Sequence, residues 1–348
     1  MAERLADHTT LRLGGPAREW VRATTESEVI DAVASADEAG TPVLVLGGGS
    51  NLVVADAGFE GRVVEIATRG ISADADSPDD LACLGAVTVT AAAGESWDEL
   101  VATAVERGWV GVEALSGIPG SVGATPIQNV GAYGQDVSQT IASVRVWDRV
   151  LKGVRTFAVA DCGFGYRTSR FKADPGRHVV LEVRFLLKQG TLGAPVEYAE
   201  LARTLGIEVA QRASLDEVRA AVLALRAGKG MVLDPADHDT WSAGSFFTNP
   251  ALTPEQAAAL PEEAPRWPQP DGTVKSSAAW LIQQAGFDRG YPAGARVSLS
   301  TKHALALTNR GSATTEELLG LARVVREGVE RAFGIRLENE PVLVGCAI

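Results

Sequence analysis

Residues 118–134 read IPGSVGATPIQNVGAYG, and the interpretation of the whole chain starts from this stretch. It contains four glycines, two prolines and no charged side chain. It therefore cannot form a regular helix, and it is too apolar for a solvated loop. A backbone with few side chains and many N–H groups can approach a flat anionic ligand, such as a nucleotide cofactor with a pyrophosphate and a ring system. A buried glycine-rich turn in a β-rich domain fits the same residues, and the stretch alone leaves both interpretations open.

A second glycine turn reads GGGSN at residues 47–51 and follows a short apolar strand predicted at Val43–Leu46. It lacks the G-x-G-x-x-G fingerprint and no helix plainly follows it, which disfavours a Rossmann nucleotide site. The backbone of such a turn can approach phosphates, and a tight structural turn is the alternative explanation.

The composition indicates a globular chain of 348 residues, with 46% hydrophobic and 22% charged residues, long enough for two or three domains. Its net charge of −12 argues against a nucleic-acid partner, because phosphate backbones bind basic surfaces. We find no signal-peptide pattern and no apolar run long enough to span a bilayer. Three scattered cysteines and four histidines fit no disulfide framework, metal motif or catalytic triad. We therefore expect a cytoplasmic protein without a metal.

Local patterns predict an α+β protein. Capping boxes predict helices that begin after Thr25, Ser96 and Ser214. Periodic apolar residues predict a last helix at residues 315–333. The other predicted segments are a hairpin of residues 143–147 and 154–159, an acidic exposed loop at 71–81, an irregular stretch at 250–272 and a closing strand at 337–344.

Three places carry side chains that could do chemistry. Arg167 lies among aromatics and glycines in CGFGYRTSRFK (residues 162–172), where a desolvated guanidinium can bind a carboxylate through two hydrogen bonds. Ser245 lies between a glycine and two phenylalanines and can present a hydroxyl in a dry pocket. Glu338 and Glu340 share one face of a predicted strand, so that one of them could point into a cleft. A surface-paired arginine, a turn serine and a solvated strand face explain the same residues without function.

Taken in order, segments spread over nearly the whole chain resemble the UDP-N-acetylenolpyruvoylglucosamine reductase family. The central glycine-rich segment, CGFGYR and GSFFTNP form a highly specific set in this order. The segments that carry the resemblance are HTTLRLGG (8–15), VLGGGSNLVV (45–54), AAGESWDEL (92–100), GIPGSVGATPIQNVGAYG (117–134), CGFGYRTSRFK (162–172), LRAGKG (225–230), GSFFTNP (244–250) and LENEPVLVG (337–345).

The resemblance implies a vanillyl-alcohol-oxidase/PCMH-type FAD-binding fold, with two α+β subdomains and a C-terminal α+β substrate-binding domain. The implied subdomains are residues 1–70 joined by the C-terminal strand at about 335–348, then residues 71–225, and the substrate domain is 226–334. FAD is held without a covalent bond. The implied cofactor contacts are Gly47, Gly48, Gly49, Ser50, Asn51, Gly120, Ser121, Gly123, Gln128, Asn129 and Ala132.

The implied reaction is the NADPH-dependent reduction of the enolpyruvyl ether of UDP-N-acetylglucosamine to UDP-N-acetylmuramate, a step of peptidoglycan synthesis that serves cell shape and division. Hydride passes from NADPH to FAD and then to the methylene carbon, and the adjacent carbon is protonated. By similarity, Ser245 donates the proton, Arg167 stabilises negative charge on the carboxylate, and Glu340 works with it. The implied substrate contacts are Tyr166, Tyr198, Lys229, Asn249 and His303.

Two features depart from the family pattern. A proline follows Glu340, where relatives often have P-E-V, so the acid could be Glu338; we favour Glu340 from its distance to the closing glycine. His238 and Trp241 match no family role. The alternative functions are a flavin oxidase of the same fold acting on an alcohol or sugar, and a non-catalytic module that binds flavin or a nucleotide sugar. We expect a monomer without nucleic-acid or membrane partners.

Overall fold

The computed structural model describes residues 3–75 and 85–348, and the chain divides into two compact units. The first unit consists of Arg18–Gly48 and Glu60–Ala227, and the second consists of Met1–Ala17, Gly49–Phe59 and Gly228–Ile348. Helices and mainly antiparallel strands occur in both units, which confirms the predicted α+β class. The three domain boundaries predicted from the sequence stay a prediction.

The smaller sheet of the first unit leads into the glycine turn at residues 47–51. Its strands lie in the order Ala17–Ala23, Phe59–Ile66 and Val43–Leu46, and the last two run parallel. The intervening helix, Glu26–Glu38, begins as predicted at a capping box in which Thr25 and Glu28 each accept a backbone N–H from the other. Because Val43–Leu46 ends immediately before Gly47, the parallel pairing fixes where the glycine turn starts.

The larger sheet of the first unit is antiparallel. Its strands lie in the order Gly153–Ala158, Ile141–Asp148, His178–Gln189, Ala86–Ala92 and Ile71–Ala75, with Trp109–Val110 beside His178–Gln189. The predicted hairpin is confirmed. The loop predicted at 71–81 is wrong for Ile71–Ala75, because this segment finds main-chain partners along Ala86–Ala92. Residues 76–81 lie outside the described residues.

Helices beside this sheet complete the first unit's core. The helices are Trp97–Glu106, Arg170–Ala173, Ala199–Leu205 and Leu215–Gly228. Ser96 accepts the N–H of Glu99, and Ser214 exchanges hydrogen bonds with Glu217, so both predicted helix starts are confirmed. The rings of Trp97 and Phe185 are fully buried with centroids 5.9 Å apart in the largest apolar cluster. Burial of such large apolar side chains is the main force that holds the unit together.

The second unit is organised around the helix Thr315–Phe333, which has the predicted bounds and a Thr314–Glu317 capping box. Leu318 and Val325 on its apolar face are fully buried in a cluster that includes Phe246. The other helices and strands are Leu52–Val54, Ala251–Leu252, Pro254–Ala259, Arg266–Pro268, Val274–Ser276, Ala278–Gln284, Val297–Leu299, Leu307–Asn309 and Val342–Val344. Nowhere in residues 3–75 and 85–348 is a helix both long and apolar enough to cross a membrane.

Two predictions for this unit are wrong in part. Residues 250–272 are not irregular, because they contain the helix Pro254–Ala259 and short strands that pair with Val274–Ser276. The closing strand covers only Val342–Val344, which lies parallel to Leu52–Val54. The residues before it pair with the segment around Phe247 instead.

A buried ion pair at the end of Ile141–Asp148 gives a test of the fold. Asp148 is 1% exposed and accepts hydrogen bonds from Arg177 at 2.9 and 3.2 Å. These hydrogen bonds lower the pKa of Asp148 to about 2, although burial opposes the shift. A carboxylate with a lowered folded-state pKa stabilises the fold above its unfolded pKa of about 4, and this contribution is lost as the pH falls towards about 2. We expect Asp148→Asn to lower the free energy of unfolding by about 2 kcal/mol at pH 7, measured by urea unfolding.

The control for this measurement is Asp174→Asn, because Asp174 pairs with the same arginine at 3.4 Å but is exposed. We expect it to cost about 0.5 kcal/mol or less. His178 lies 3.7 Å from Asp148, and burial lowers the pKa of its imidazole, so His178 also contributes to the pH dependence of stability. The quantity to compare is therefore the difference in free energy of unfolding between Asp148→Asn and wild type at each pH. That difference should shrink below about pH 4. A difference that grows between pH 7 and pH 3 would contradict the prediction.

Candidate active site

The two predicted glycine turns contact each other backbone to backbone within the first unit. A Cβ atom on Gly48 would lie 2.5 Å from Cα of Gly120, and one on Gly47 would lie 2.3 Å from Oγ of Ser121. At Gly48 no side chain larger than hydrogen fits without moving the backbone of the partner turn, whereas at Gly47 the close atom is a serine hydroxyl that can rotate away. Tertiary packing therefore requires glycine at residue 48, and the structure brings together the two segments that the family resemblance assigns to one ligand.

Backbone hydrogen bonds fix the central glycine segment on the sheet and its first helix. The carbonyl of Gly120 accepts the N–H of Trp97 at 3.0 Å, and the N–H groups of Val122 and Gly123 donate to Glu95 and Ala93 at 2.8 Å. A Cβ on Gly123 would lie 2.5 Å from Cβ of Ala93. These bonds hold the turn rigidly and keep it too close to the sheet for a side chain at residue 123.

A second anchor holds the start of the same segment. Asp98 accepts the N–H of Gly117 at 2.6 Å and two hydrogen bonds from the guanidinium of Arg219 at 2.7 and 2.9 Å. Burial alone would raise the pKa of Asp98, but these donors hold it below its ordinary value. In the sequence Asp98 belongs to the predicted capping box after Ser96, and Arg219 lies in no motif, so neither residue was predicted to hold the glycine segment.

The first unit's glycine turns fit a pyrophosphate. Within the described part of the chain, the backbone N–H groups of Gly48, Gly120 and Ser121 donate to no protein acceptor. Converging backbone donors without side chains are a common way to hold phosphate oxygens. The residues present therefore fit the diphosphate of FAD, with Gly47, Gly48, Gly120 and Ser121 as the groups that would hold it.

Gly49, Ser50 and Asn51 belong to the second unit. Contacts within that unit require glycine at residue 49. Gly49 has φ +59°, and a Cβ there would lie 1.9 Å from the carbonyl oxygen of His8. Its own carbonyl accepts the N–H of Thr10, and the carbonyl of Asn51 accepts the N–H of Val342. The end of the GGGSN turn is thus joined to the chain's first and last segments.

Gly48→Ala tests the contact between the two turns. The added methyl group should push Gly120 away and disturb the donors, at a cost of about 1–3 kcal/mol. We expect FAD to bind about ten- to hundredfold more weakly, measured by fluorescence titration of the apoprotein. Gly320→Ala is the control, because a Cβ there meets nothing within 4 Å. Equal FAD affinity in the two variants would contradict the assignment of this turn.

Arg167 is held by the main chain of the predicted flavin-lining segment. Its guanidinium donates to the carbonyl of Asn129 at 3.3 Å and to that of Gly131 at 2.7 Å. Arg167 and Asn129 both adopt the left-handed conformation, with φ +53° and +49°, which is rare for residues other than glycine. Such strain persists only where surrounding contacts enforce it, and it concentrates at functional sites. The structure thus joins two residues that the sequence could place only in separate motifs.

The side chain of Asn129 explains how this pair is fixed. Its amide donates to the carbonyl of Gly165 at 3.1 Å and accepts the N–H of Ser138 at 3.1 Å, and the residue is 6% exposed. Lys172 donates to the carbonyl of Arg167 at 3.0 Å. An open cavity of about 350 Å³ lies here, lined by Asn129, Asp136, Ser138 and residues 164–167.

Two predicted substrate contacts in this unit are exposed tyrosines. Tyr166 is 53% exposed, and the guanidinium carbon of Arg167 lies 5.5 Å from its ring centroid. Tyr198, just before the helix Ala199–Leu205, packs edge to face against Tyr133 with centroids 5.5 Å apart. Tyr133 follows Ala132, so Tyr198 lies near the end of the flavin-lining segment, in which Gln128 is half-buried.

In the second unit Ser245 and Glu340 lie on two segments that pair with each other. The segment after Gly244 runs antiparallel to the C-terminal segment, with Phe247 opposite Asn339. The N–H of Glu340 donates to the carbonyl of Phe246, the residue next to Ser245, at 2.8 Å. Ser245 and Glu340 are both half-buried. Two of the three predicted catalytic residues therefore lie on paired neighbouring segments, while the approach of Arg167 to them stays a prediction.

Glu338 has a different environment. It is exposed, and only its backbone pairs with Thr248. Burial and the charge of Arg336 lower the pKa of Arg326 on the last helix. The carboxylate of Glu338 raises the pKa of Arg326, which indicates that Glu338 lies near Arg326. The environment of Glu338 is that of a surface acid facing a basic cluster.

The remaining predicted substrate contacts also lie in the second unit. Lys229 directly follows the helix Leu215–Gly228. The Oδ1 atom of Asn249 accepts the N–H of Ala278 at 2.9 Å, at the start of the helix Ala278–Gln284, which leaves its amide NH₂ as the donor. The N–H of His303 donates to the hydroxyl of Ser300 at 3.2 Å. Among the described residues, no group of three or more His, Cys, Asp or Glu side chains could hold a metal ion.

The first comparison defines the class of protein. Residues 17–152 match the model of an FAD binding domain, and this range contains both glycine turns and the flavin-lining segment. Together with the backbone donors of the glycine turns, this match makes the chain a flavoprotein, and its relatives below make it an FAD-dependent oxidoreductase.

The second comparison defines the family. Residues 234–344 match the C-terminal domain of UDP-N-acetylenolpyruvoylglucosamine reductase. Enzymes of that name from Cutibacterium acnes and Streptomyces coelicolor are each 56% identical to this chain, over 99% of it and 90% of their own length. The crystal structure of the reductase from Thermus caldophilus superposes with a TM-score of 0.65 at 26% identity, covering 99% of both chains. The chain belongs to the UDP-N-acetylenolpyruvoylglucosamine reductase family, which confirms the resemblance and the predicted fold class.

Proposed function

We propose that this chain reduces UDP-N-acetylenolpyruvoylglucosamine to UDP-N-acetylmuramate in peptidoglycan precursor synthesis, with FAD as cofactor and NADPH as hydride donor. Its relatives over nearly the whole chain support this reaction. The observation that carries the proposal for these residues is the backbone pairing that joins the segment of Ser245 to Glu340. It supplies a proton donor and an acid on neighbouring, partly buried segments.

Ser245 is the proposed proton donor to the carbon next to the new C–H bond. A serine hydroxyl is a weak acid, so it needs a nearby lysine or water that lowers its pKa. Glu340 can act beside a developing anion only if its carboxyl group is protonated or shares a proton, and a partly desolvated glutamate can be in this state. Glu340 fits this role better than Glu338, because Glu338 is exposed and faces Arg326.

Arg167 is the proposed electrostatic stabiliser of the substrate carboxylate. A fixed cation in a water-poor site stabilises developing charge far better than a mobile cation in water. The two carbonyl contacts at Asn129 and Gly131 support this role, because they hold the guanidinium before the substrate arrives.

When bound, FAD supplies the redox chemistry, accepting hydride from NADPH and passing it to the enolpyruvyl group. Gly47–Asn51 and Gly120–Gly123 would hold the diphosphate of FAD through their backbone, and Gln128, Asn129 and Ala132 would line its ring system. Lys229 binds the substrate diphosphate as a point charge, and the amide of Asn249 and the hydroxyls of Tyr166 and Tyr198 donate to substrate oxygens. His303 adds a further contact to the substrate.

Purified protein tests the reaction directly. We expect a yellow protein that releases FAD on heating and oxidises NADPH when the UDP-enolpyruvyl sugar is added. A colourless protein that cannot be reconstituted with FAD would contradict the proposal. Rapid oxygen consumption without the enolpyruvyl substrate would indicate an oxidase, and tight binding without NADPH oxidation would indicate a binding module.

We also propose a cytoplasmic monomer. Cys162 and Cys346 are free thiols in the structure, and a reducing compartment keeps thiols in this state. Light scattering after gel filtration tests the oligomeric state, and a mass of twice the chain would contradict the monomer.

A further inference from the structure

A buried carboxylate in the second unit lies among segments that carry predicted substrate contacts. Asp239, in the single 3₁₀ turn His238–Thr240, is only 4% exposed. It accepts the N–H of Thr301 at 2.9 Å and also the hydroxyl of that residue. Arg310 donates to it at 2.8 Å. A buried carboxylate requires such donors, because an unpaired charge in the interior is strongly destabilising.

Thr301 lies two residues before His303, so Asp239 fixes the turn from which His303 projects. The same turn is held by Ser300, whose hydroxyl accepts the N–H groups of Lys302 and His303 at 3.0 and 3.2 Å. Lys302 forms an ion pair with Asp237, two residues before Asp239. The turn at residues 300–303 is therefore attached to the turn around Asp239 at both its backbone and its side chains.

Asp239 also packs against the segment of Lys229. Gly230 has φ +66°, and a Cβ there would lie 3.1 Å from the carbonyl oxygen and 3.2 Å from Cβ of Asp239. Only a residue without a side chain allows this approach in the left-handed conformation. Lys229 is thus the neighbour of a glycine that touches Asp239, so the position of its backbone depends on where Asp239 lies.

Further contacts continue from Asp239 towards Ser245. The hydroxyl of Thr240 donates to the carbonyls of Asp234 and Asp237 at 2.8 Å. The carbonyl of Trp241 accepts the N–H of Asn309 at 3.1 Å. The segment that connects Lys229 to Ser245 is therefore a fixed structure with Asp239 at its centre.

The charge state of Asp239 suits this position. Burial alone would raise the pKa of its carboxyl, but the hydrogen bonds from Thr301 and Arg310 hold it below its ordinary value. The carboxylate is therefore ionised at neutral pH and is neutralised by Arg310. A neutralised pair can hold the two turns without repelling a diphosphate that binds nearby.

We propose that Asp239 is a positioning residue for the nucleotide-sugar substrate, which holds the turns of Lys229 and His303 in the arrangement that binds the diphosphate. This inference rests on the proposed function and on the substrate roles of those two residues. Asp239 is only 4% exposed and acts through these two turns, so its loss weakens substrate binding without changing the chemistry of hydride transfer from NADPH. A displacement of binding groups by about 1 Å is enough for a large loss, on the order of a hundredfold.

The experiment compares Asp239→Asn with a matched control, Asp271→Asn. Asp271 accepts the N–H and hydroxyl of Thr273 at 3.0 and 2.7 Å, which reproduces the two hydrogen bonds from Thr301, but it lies in an exposed turn. We expect Asp239→Asn to raise the KM for the UDP-enolpyruvyl sugar by about ten- to hundredfold. The rate of flavin reduction by NADPH in stopped flow should stay within about twofold of wild type, and Asp271→Asn should change neither quantity.

Two further variants keep the inference testable if Asp239→Asn folds poorly. Asp239→Glu restores the charge and should recover part of the KM. Thr301→Val removes only the hydroxyl of an exposed residue and should raise the KM in the same direction by a smaller factor. An unchanged KM in folded Asp239→Asn or Thr301→Val would overturn the inference, and so would an equal loss of substrate binding and of flavin reduction. Wild-type protein that fails to oxidise NADPH with this substrate would instead overturn the proposed function.

Discussion

Ser245→Ala is expected to lower kcat for the enolpyruvyl substrate by about 10²–10⁴-fold, while NADPH reduces the bound flavin at the wild-type rate. The hydroxyl is the only group lost, and it is the proposed source of the proton on the new carbon centre. The main chain around Ser245 does not depend on this hydroxyl, because Phe246 pairs through its own N–H with Leu305 and through its carbonyl with Glu340. The defect should therefore be confined to the second half of the reaction.

Stopped-flow measurement of each half-reaction separates these outcomes. Ser245→Cys should recover part of the turnover, because a thiol can also donate a proton. Ser312→Ala, at an exposed serine of the same unit, is the control and should behave as wild type. Normal turnover by Ser245→Ala would remove the proton-donor role, and slowed flavin reduction would show that the substitution disturbs the cofactor instead.

Arg167→Lys is expected to lower kcat by about 10²–10³-fold. Lysine keeps the positive charge, but its ammonium group lacks the planar fork that reaches two acceptors at fixed angles. The contacts with Asn129 and Gly131 would not both survive, so the cation would no longer be held in place. If activity is lost although the charge is preserved, catalysis requires the fixed position of the guanidinium and not the charge alone.

The control for this prediction is Arg170→Lys in the same motif. Arg170 is exposed, and its guanidinium lies 4.5 Å from the ring centroid of Phe157, away from Asn129 and Gly131. We expect kcat within about twofold of wild type for this variant. Flavin content should be measured for both variants, because the Arg167 contacts also support the flavin-lining segment. If Arg167→Lys retained wild-type kcat, the fixed position of the guanidinium would not be required, and the positive charge alone would be sufficient.

Local sequence predicted the elements whose stabilising contacts lie within a few residues. The capping boxes at Thr25 and Ser214 and the hairpin around residues 148–153 formed as predicted. A cap joins residues three apart, and a hairpin turn joins strands that adjoin in the chain, so the pattern contains all the interacting groups. The prediction for Ile71–Ala75 was wrong, because Asp74 and the acidic residues that follow it indicated a loop, and only pairing with Ala86–Ala92 makes this segment a strand.

The sequence by itself determined which residues are available for chemistry: the glycine segments, Arg167, Ser245 and Glu340, all found through motifs that a single chain displays. Only the tertiary structure decided which of them meet, as when the segment of Ser245 pairs with Glu340 and the guanidinium of Arg167 rests on Asn129 and Gly131. Asp239 and Thr301, 62 residues apart, gave no signal in the sequence at all. The physical reason is that such pairs form only when long loops close to bury a shared core, and the closing contacts are chosen by the packing of the whole unit and not by the residues that border them.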